Sequence, residues 1–451
     1  MSQDSGCWVE GNNLVLIDIL RRLPPKSLMR FKSVSKRWRW MITQDRYFID
    51  LHFTSSNSTN TSTFVIYPTH RAAIYPTHRA SVSIQISRIL FSEQDLVFDD
   101  RPSELPDTTK ITPSYYSSED ITLYVRSCIL MLEPVGGLIC FVNLDEHGYV
   151  IIYNPCTRQK TPWIKPASTR ELSIDPKVQF RRKKKTGLYK YMFGFGIDPA
   201  TKQHKVFSAY DISVRYFPFM IVSHEFVCEV LTVGDNIWRK IDGNRVPSNI
   251  AVSSETVHVH GSIYWMCCQA GQDKNDVIMV FDLGSETFRE IVIPSFILDL
   301  WHSNIQVQLV RKLVEVDGHI SVSVREGDDC LNMWIYNDIG VVSGTWDKKT
   351  IQMPCLWSDI KYVDLKAISG LDMIVVKTLR ESSASFLPEQ QREEIHYYNR
   401  KEKKYCRNRF EILLNPIASP AKSYSITPFF ENLLPVKAVN HPTILPVLQE
   451  K

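Results

Sequence analysis

The stretch Asn12–Phe53 reads NNLVLIDILRRLPPKSLMRFKSVSKRWRWMITQDRYFIDLHF, and its spacing predicts a compact plug of short helices. Leu16, Ile19, Leu20 and Leu23 fall at i, i+3, i+4 and i+7, one apolar stripe on a first helix. Pro24 and Pro25 end that helix and open the next, because proline breaks a helix interior and suits a first turn. Leu28 and Phe31 share a face of the second helix. Ser33 is placed to cap a third, in which Val34, Trp38, Met41 and Ile42 form a stripe. A short amphipathic segment around Phe48 and Leu51 closes the unit.

Outward from this plug the pattern changes. Thr54–Thr63, TSSNSTNTST, is small and polar and reads as a linker. Ile66–Ala72 then recurs as Ile74–Ala80, a short tandem duplication best read as a surface loop. From about Val82 the chain alternates strands with turns. Strand runs include Ser83–Phe91, Ile129–Leu132, Leu138–Val142, Tyr149–Tyr153, Lys205–Tyr210, Phe226–Val233, Val257–His260, Val277–Phe281 and Ile320–Val324. Turn signals such as Asn154-Pro155, Asp198-Pro199 and Gly284-Ser285 separate them. Glycine before an apolar strand recurs at Gly137, Gly261, Gly318 and Gly370. About four strands per unit at roughly kelch-like spacing predicts propeller blades, because one blade cannot bury both faces alone. Five units can be counted, and residues 64–126 supply a further blade or close the ring. The fold class predicted is α+β multidomain: a small helical domain at 1–53, a linker at 54–63, an all-β propeller at 64–440 and a tail at 441–451.

Composition sets bounds on this reading. The chain of 451 residues is long enough for more than one domain, and 44% hydrophobic residues suffice for a large core. No apolar run reaches membrane-spanning length, and the first residues lack a signal peptide's apolar stretch, so the cytoplasm or nucleus is the expected location. Ten scattered cysteines without a C-x-x-C pair suggest reduced thiols rather than a zinc site. The net charge of +4 sits in residues 1–54, with nine Lys/Arg against five Asp/Glu, and the remainder is balanced. A basic plug suits an acidic partner, and a neutral remainder argues against direct nucleic-acid binding.

Two sets of motifs carry a resemblance. Ile19–Leu28, ILRRLPPKSL, with Val34–Trp38, VSKRW, resembles an F-box, although Gly11-Asn12-Asn13-Leu14 stands where that family usually opens with a Leu-Pro or Ile-Pro pair. Tyr153–Arg158, YNPCTR, and Phe193–Pro199, FGFGIDP, resemble the blade signatures of plant F-box associated domains, and they occur in that family's order. The whole resembles a plant F-box protein with a C-terminal, kelch-like F-box associated propeller. That resemblance implies a substrate-recognition adaptor of a ubiquitin ligase, itself not an enzyme. The plug would dock on a Skp-family adaptor, which joins it to a cullin scaffold, and the propeller would capture an unidentified protein target. Leu14, Leu20, Leu23, Pro24, Leu28 and Val34 are the apolar candidates for docking, with Lys36 and Trp38 beside them. Lys36 and Arg37 would add charge complementarity, and Trp38 is also a core residue in so small a unit.

Other candidates weigh less. His258 and His260 alternate in a strand and would share a face, but no third ligand accompanies them. Arg181–Lys185 reads as an import signal, a patch for an acidic partner or a solvated loop, and Arg400–Lys404 as a charged turn. Trp163, Trp238, Trp265, Trp334 and Trp346 recur at blade positions and suit packing between blades. No P-loop, G-x-S-x-G, H-E-x-x-H or kinase signature occurs, and no cofactor or metal is expected. The competing reading is a propeller scaffold for protein binding with a degenerate F-box and no ubiquitin transfer. A propeller enzyme ranks third.

Overall fold

The computed structural model describes residues 11–57, 61–68, 81–92, 98–99, 116–124, 129–144, 148–167, 185–216, 220–243, 247, 255–267, 276–302, 312–327, 329–338, 344–353, 360–368, 372–380, 392–406 and 424–436. Four helices come first: α1 (Gly11–Leu20), α2 (Pro25–Phe31), α3 (Lys36–Thr43) and α4 (Arg46–Asn57). The elements named after them among the described residues are strands, except for α5 (Ser295–His302). The predicted linker is therefore not one over its described part. Thr54–Asn57 ends α4, and Thr61–Thr63 opens the first strand.

The strands form six antiparallel sheets among the described residues, arranged as propeller blades. Blade 1 orders β25 (Tyr424–Phe429), β1 (Thr61–Pro68), β2 (Ser81–Ser92) and β4 (Tyr116–Tyr124). Blade 2 is β5 (Ile129–Met131), β6 (Ile139–Asn143), β7 (Tyr149–Asn154) and β8 (Gln159–Lys160). Blade 3 is β9 (Lys185–Ile197), β10 (His204–Tyr216), β11 (Met220–Thr232) and β12 (Trp238–Lys240). Blade 4 is β13 (Val257–Val259), β14 (Ser262–Cys267), β15 (Val277–Asp282) and β16 (Phe288–Val292). Blade 5 is β17 (Lys312–Val316), β18 (His319–Glu326), β19 (Cys330–Asn337) and β20 (Thr345–Gln352). Blade 6 is β21 (Ile360–Ile368), β22 (Met373–Arg380), β23 (Arg392–Asn399) and β24 (Lys404–Cys406), extended by β3 (Phe98–Asp99).

The innermost strands identify themselves by touching one another: β9 meets β13, β13 meets β17, β17 meets β21, and β21 meets β25. Residues 64–126 thus do both things anticipated for them. They build blade 1, and their partner β25 comes from the far end of the chain. The pairing runs from Thr63 against Phe429 to Pro68 against Tyr424. A second latch joins blades 6 and 1, where Tyr405 and Cys406 pair with Asp99 and Phe98.

Two turn types recur, and each has a local cause. Between the first and second strands of a blade lie Gly136-Gly137, His260-Gly261 and Asp317-Gly318, all with both residues at positive φ. That geometry is the tight hairpin whose twist matches the strands, and glycine at the second place adopts it without a Cβ clash. The glycine repeat in the sequence is this turn, and Gly370 lies outside the described residues. The second type runs Asn154–Arg158, Asp198–Lys202, Asp282–Glu286 and Asn399–Lys403. Its first side chain accepts from the backbone N–H two and three residues on, and its fifth residue is left-handed, with φ between 55° and 59°.

Packing between blades supplies the core. Phe193, Phe195, Val206 and Trp238 of blade 3 meet Cys140, Val142 and Ile152 of blade 2. Phe207 stacks on Phe281 at 4.3 Å and on fully buried Trp265 at 5.8 Å, joining blades 3 and 4. Side chains of Val314, Leu331 and Ile351 meet Val363, Ile374 and Tyr398 between blades 5 and 6. Glycines permit the close approach: a Cβ at Gly194 would collide with Ile263, and one at Gly196 with His258 and Leu283. The F-G-F-G string is therefore a packing motif, two aromatics inward on one face and bare backbone toward the next blade.

Candidate functional site

The helical plug is built around Leu20, Leu28, Met41, Ile42, Phe48 and Ile49, all buried, with Leu16, Ile17, Leu23, Met29, Phe31 and Trp38 packed against them. Pro24 precedes α2 and Pro25 occupies its first position, as proline's fixed φ favours. The third helix is capped by Ser35, whose Oγ accepts from Trp38 N at 3.1 Å, not by Ser33. Ser33 lies two residues too early and donates instead to Arg30 O at 2.8 Å, closing α2. His52 ties α4 to the α1–α2 turn. Its Nε2 donates to Leu23 O at 3.0 Å, and burial pushes its pKa down, which keeps the ring neutral.

The outside of the plug is unusual. Nine large apolar side chains are exposed among the described residues, and six of them belong to it: Leu14, Val15, Ile19, Val34, Trp40 and Tyr47. Leu14, Val15 and Ile19 lie within one arc of α1, so this helix is apolar inside and out. Asp18 sits among them and pairs with Arg21 at 2.5 Å and Arg22 at 2.9 Å; the Arg21 hydrogen bond holds its carboxyl below the usual range. A surface of this kind on a small unit is the mark of an interaction site.

Comparison with known proteins adds two matches. The family described as "F-box associated beta propeller domain" matches residues 89–432, and "F-box domain" matches residues 12–49. The chain belongs to the F-box associated beta propeller family. An F-box-named protein of Arabidopsis thaliana is 27% identical over 349 residues, 76% of this chain and 68% of its own length. A second F-box protein from that plant is 26% identical over 326 residues, covering 71% and 64%. An F-box/LRR-repeat protein, also from Arabidopsis thaliana, is 25% identical over 332 residues, covering 71% and 64%. The match thus spans about two thirds of these relatives' length.

Within the F-box, the docking residues expected from the sequence fall into three groups. Leu14 and Val34 are exposed at 54% and 59%, and Pro24 and Lys36 also face solvent. Leu20 and Leu28 do not: at 1% and 0% exposure they are core and offer nothing to a partner. Leu23 and Trp38 are partly buried against that core, Trp38 edge-on to Phe31 at 5.6 Å. Val15, Ile19, Trp40 and Tyr47 were not among the expected residues. Ile19 was assigned to the inner stripe, because a period of 3.6 cannot choose a face when both faces are apolar. Trp40 and Tyr47 carried a signal only as large apolar residues off the inward stripes.

The propeller has two unlike ends. Strands alternate in direction, so the first-to-second and third-to-fourth turns of each blade emerge on one side and all other connections on the opposite side. The F-box lies on the side of the tight turns. Asn432, next to a leucine of the F-box core, donates to Gly136 O at 2.8 Å, in the β5–β6 turn. The fourth strands β8, β12, β16 and β24 end toward the opposite side, and each is separated by a long stretch of sequence from the strand that opens the next blade. Arg181–Lys184 lies outside the described residues, and Lys185 opens β9.

The remaining candidates resolve into structure. His258 Nε2 accepts from Ile197 N at 3.2 Å and Gly261 N at 3.3 Å, so this nitrogen is committed to the backbone. His260 does not share its face, since it leaves the strand at φ 43° to form the hairpin turn. His204 Nε2 donates to Val135 O at 3.0 Å. Burial pushes both His204 and His258 down to about 4. Arg400, in the charged turn, reaches blade 5 and binds Asp317 with both terminal nitrogens, Nη2 at 2.7 Å. Cys140, Cys156, Cys228 and Cys267 are buried and form no disulfide, and burial raises Cys228 to about 12. No cluster of three metal-ligating side chains occurs among the described residues, and no described helix is long and apolar enough to cross a membrane.

Proposed function

We propose that the protein is a substrate-recognition adaptor of a Skp–cullin ubiquitin ligase, with the F-box docking on the Skp-family adaptor and the propeller holding a protein target. The observation that carries this reading is the concentration of exposed apolar side chains on an F-box whose interior is already filled. Burying a side chain of this size is worth ~1.5–3 kcal/mol, so a few of them sustain a stable contact. Exposed Lys36 and Arg37 beside them suit an acidic partner. The target end is the side of the long connections, because recognition favours variable loops on a rigid frame. Such a protein needs no catalytic residue of its own: it raises the effective concentration of target near a charged enzyme.

The test is Ile19→Asp combined with Trp40→Asp in the full chain. Both positions are more than half exposed, so the F-box should fold normally while capture of a Skp-family adaptor is lost. Unchanged capture would end the docking model. A second reading, a protein-binding scaffold without ubiquitin transfer, draws on Gly11-Asn12-Asn13 standing where the family usually has its opening proline. Co-purification of the intact chain with both adaptor and cullin separates the two.

A further inference from the structure

Residues 430–436, FENLLPV, follow the last strand and touch both halves of the molecule. Leu433 is 1% exposed and lies in the F-box core with Leu20, Leu28, Met41, Ile42, Phe48 and Ile49; every other buried member of that core comes from α1–α4. Leu434 packs against the same cluster, and Phe430 meets Phe53 of α4 edge-on at 6.5 Å. On the other flank, Val436 is buried in the core between blades 2 and 3, and its N–H donates to Gln159 Oε1 at 3.0 Å. Between the two, Asn154 Nδ2 donates to Asn432 O at 3.0 Å and Leu434 O at 2.8 Å. Asn432 in turn donates to Gly136 O and accepts from Leu434 N at 2.9 Å. A Cβ at Gly137 would strike Asn432 and the Phe430 carbonyl, so the segment is pressed onto the blade 2 hairpin.

We infer that residues 430–436 are a brace that completes the F-box and fixes it to the propeller, so that docking by residues 14–57 requires an intact C-terminal segment. A helical unit of some forty residues buries too little apolar surface to be secure alone. Leu433 supplies a side chain to its centre from almost four hundred residues away in sequence. Its neighbours on both flanks are hydrogen-bonded to blade 2, so the leucine arrives at a fixed place. Leu433 is therefore a positioning residue for the docking face and touches no partner itself. The consequence for docking rests on the adaptor reading above; the brace does not.

The experiment compares the full chain with Leu433→Ala and Leu433→Met by backbone hydrogen exchange and by binding to a purified Skp-family adaptor. Truncating this leucine should speed exchange in α1–α4 roughly tenfold or more, leave β14 and β15 unchanged, and weaken adaptor binding in parallel. Methionine, which keeps the volume, should restore both. Unchanged exchange in α1–α4 of Leu433→Ala overturns the brace. Faster exchange with undiminished adaptor binding overturns the coupling to docking. If the parent chain itself fails to bind while exchange still responds to position 433, the brace stands and the adaptor reading falls.

Discussion

Asn154 shows how a motif residue earns its place. Its Oδ1 accepts from Cys156 N at 2.8 Å and Thr157 N at 3.2 Å, while its Nδ2 serves two carbonyls of the brace. Every hydrogen-bonding position of the amide is thus used, in a residue that is 0% exposed. Asn154→Asp keeps the shape but removes both donors and buries a charge, and should cost ~2–4 kcal/mol in a urea unfolding series. A midpoint equal to the parent's would contradict this. The motif was visible in the sequence; the role was not, because Asn432 lies 278 positions away. Histidine adds a pH dependence. His204 and His258 have pKa values of about 4 in the folded chain, below the ordinary 6.5. Between those values the unfolded chain binds more protons, so stability is full above pH 6.5 and falls as pH drops toward 4. Melting temperatures measured from pH 7.5 to 5 should decline, and less steeply in His204→Gln; a flat profile would refute the assignment.

At the scale of elements, strands and turns were more legible than faces. Alternating apolar runs bounded by Gly, Asn and Asp gave β2, β5, β6, β7, β10, β11, β13, β15 and β18 their places, because a half-buried strand and a tight turn each leave a local mark, whereas β1 takes in Ile66–Pro68, which reads from sequence as a surface loop. The hairpin glycines are a case that can be tested. Gly261 has φ 84° and a Cβ there would press on Pro199, so Gly261→Ala should destabilise by about 1–3 kcal/mol, read as a lower melting temperature. What the sequence hid was which side of α1 faces inward. Leu16 and Leu20 point to the core and Leu14, Val15 and Ile19 away from it, a distinction set by what α3, α4 and Leu433 cover. This changes how docking is probed. Leu28→Asp would place a charge in a side-chain site of 0% exposure and unfold the F-box, so its loss of adaptor binding would say nothing about contact.

For the whole molecule, the number of blades depended on a pairing that no local pattern reveals. Residues 64–126 alone offer three long strands, and the fourth is β25. Ending the chain after residue 423 should therefore open blade 1, remove the brace and replace one sharp unfolding transition with a broad one, as measured by calorimetry. Sharp unfolding of that fragment would point to an open stack. Thr54–Thr63 reads from sequence as a linker, since small polar residues favour loops. Helix and strand claim most of it, and the brace holds the F-box from the other side.

Blade 1 also sets a schedule. Its strands β1, β2 and β4 are made about three hundred residues before β25, the strand that lies beside β1 on its inner edge. At roughly 5–20 residues per second the interval is on the order of tens of seconds. Through that time β1 presents an unpaired edge, the feature that invites pairing with other chains. A nascent chain of this protein thus carries an open sheet edge until β25 appears, and a product that stops short of β25 cannot complete blade 1.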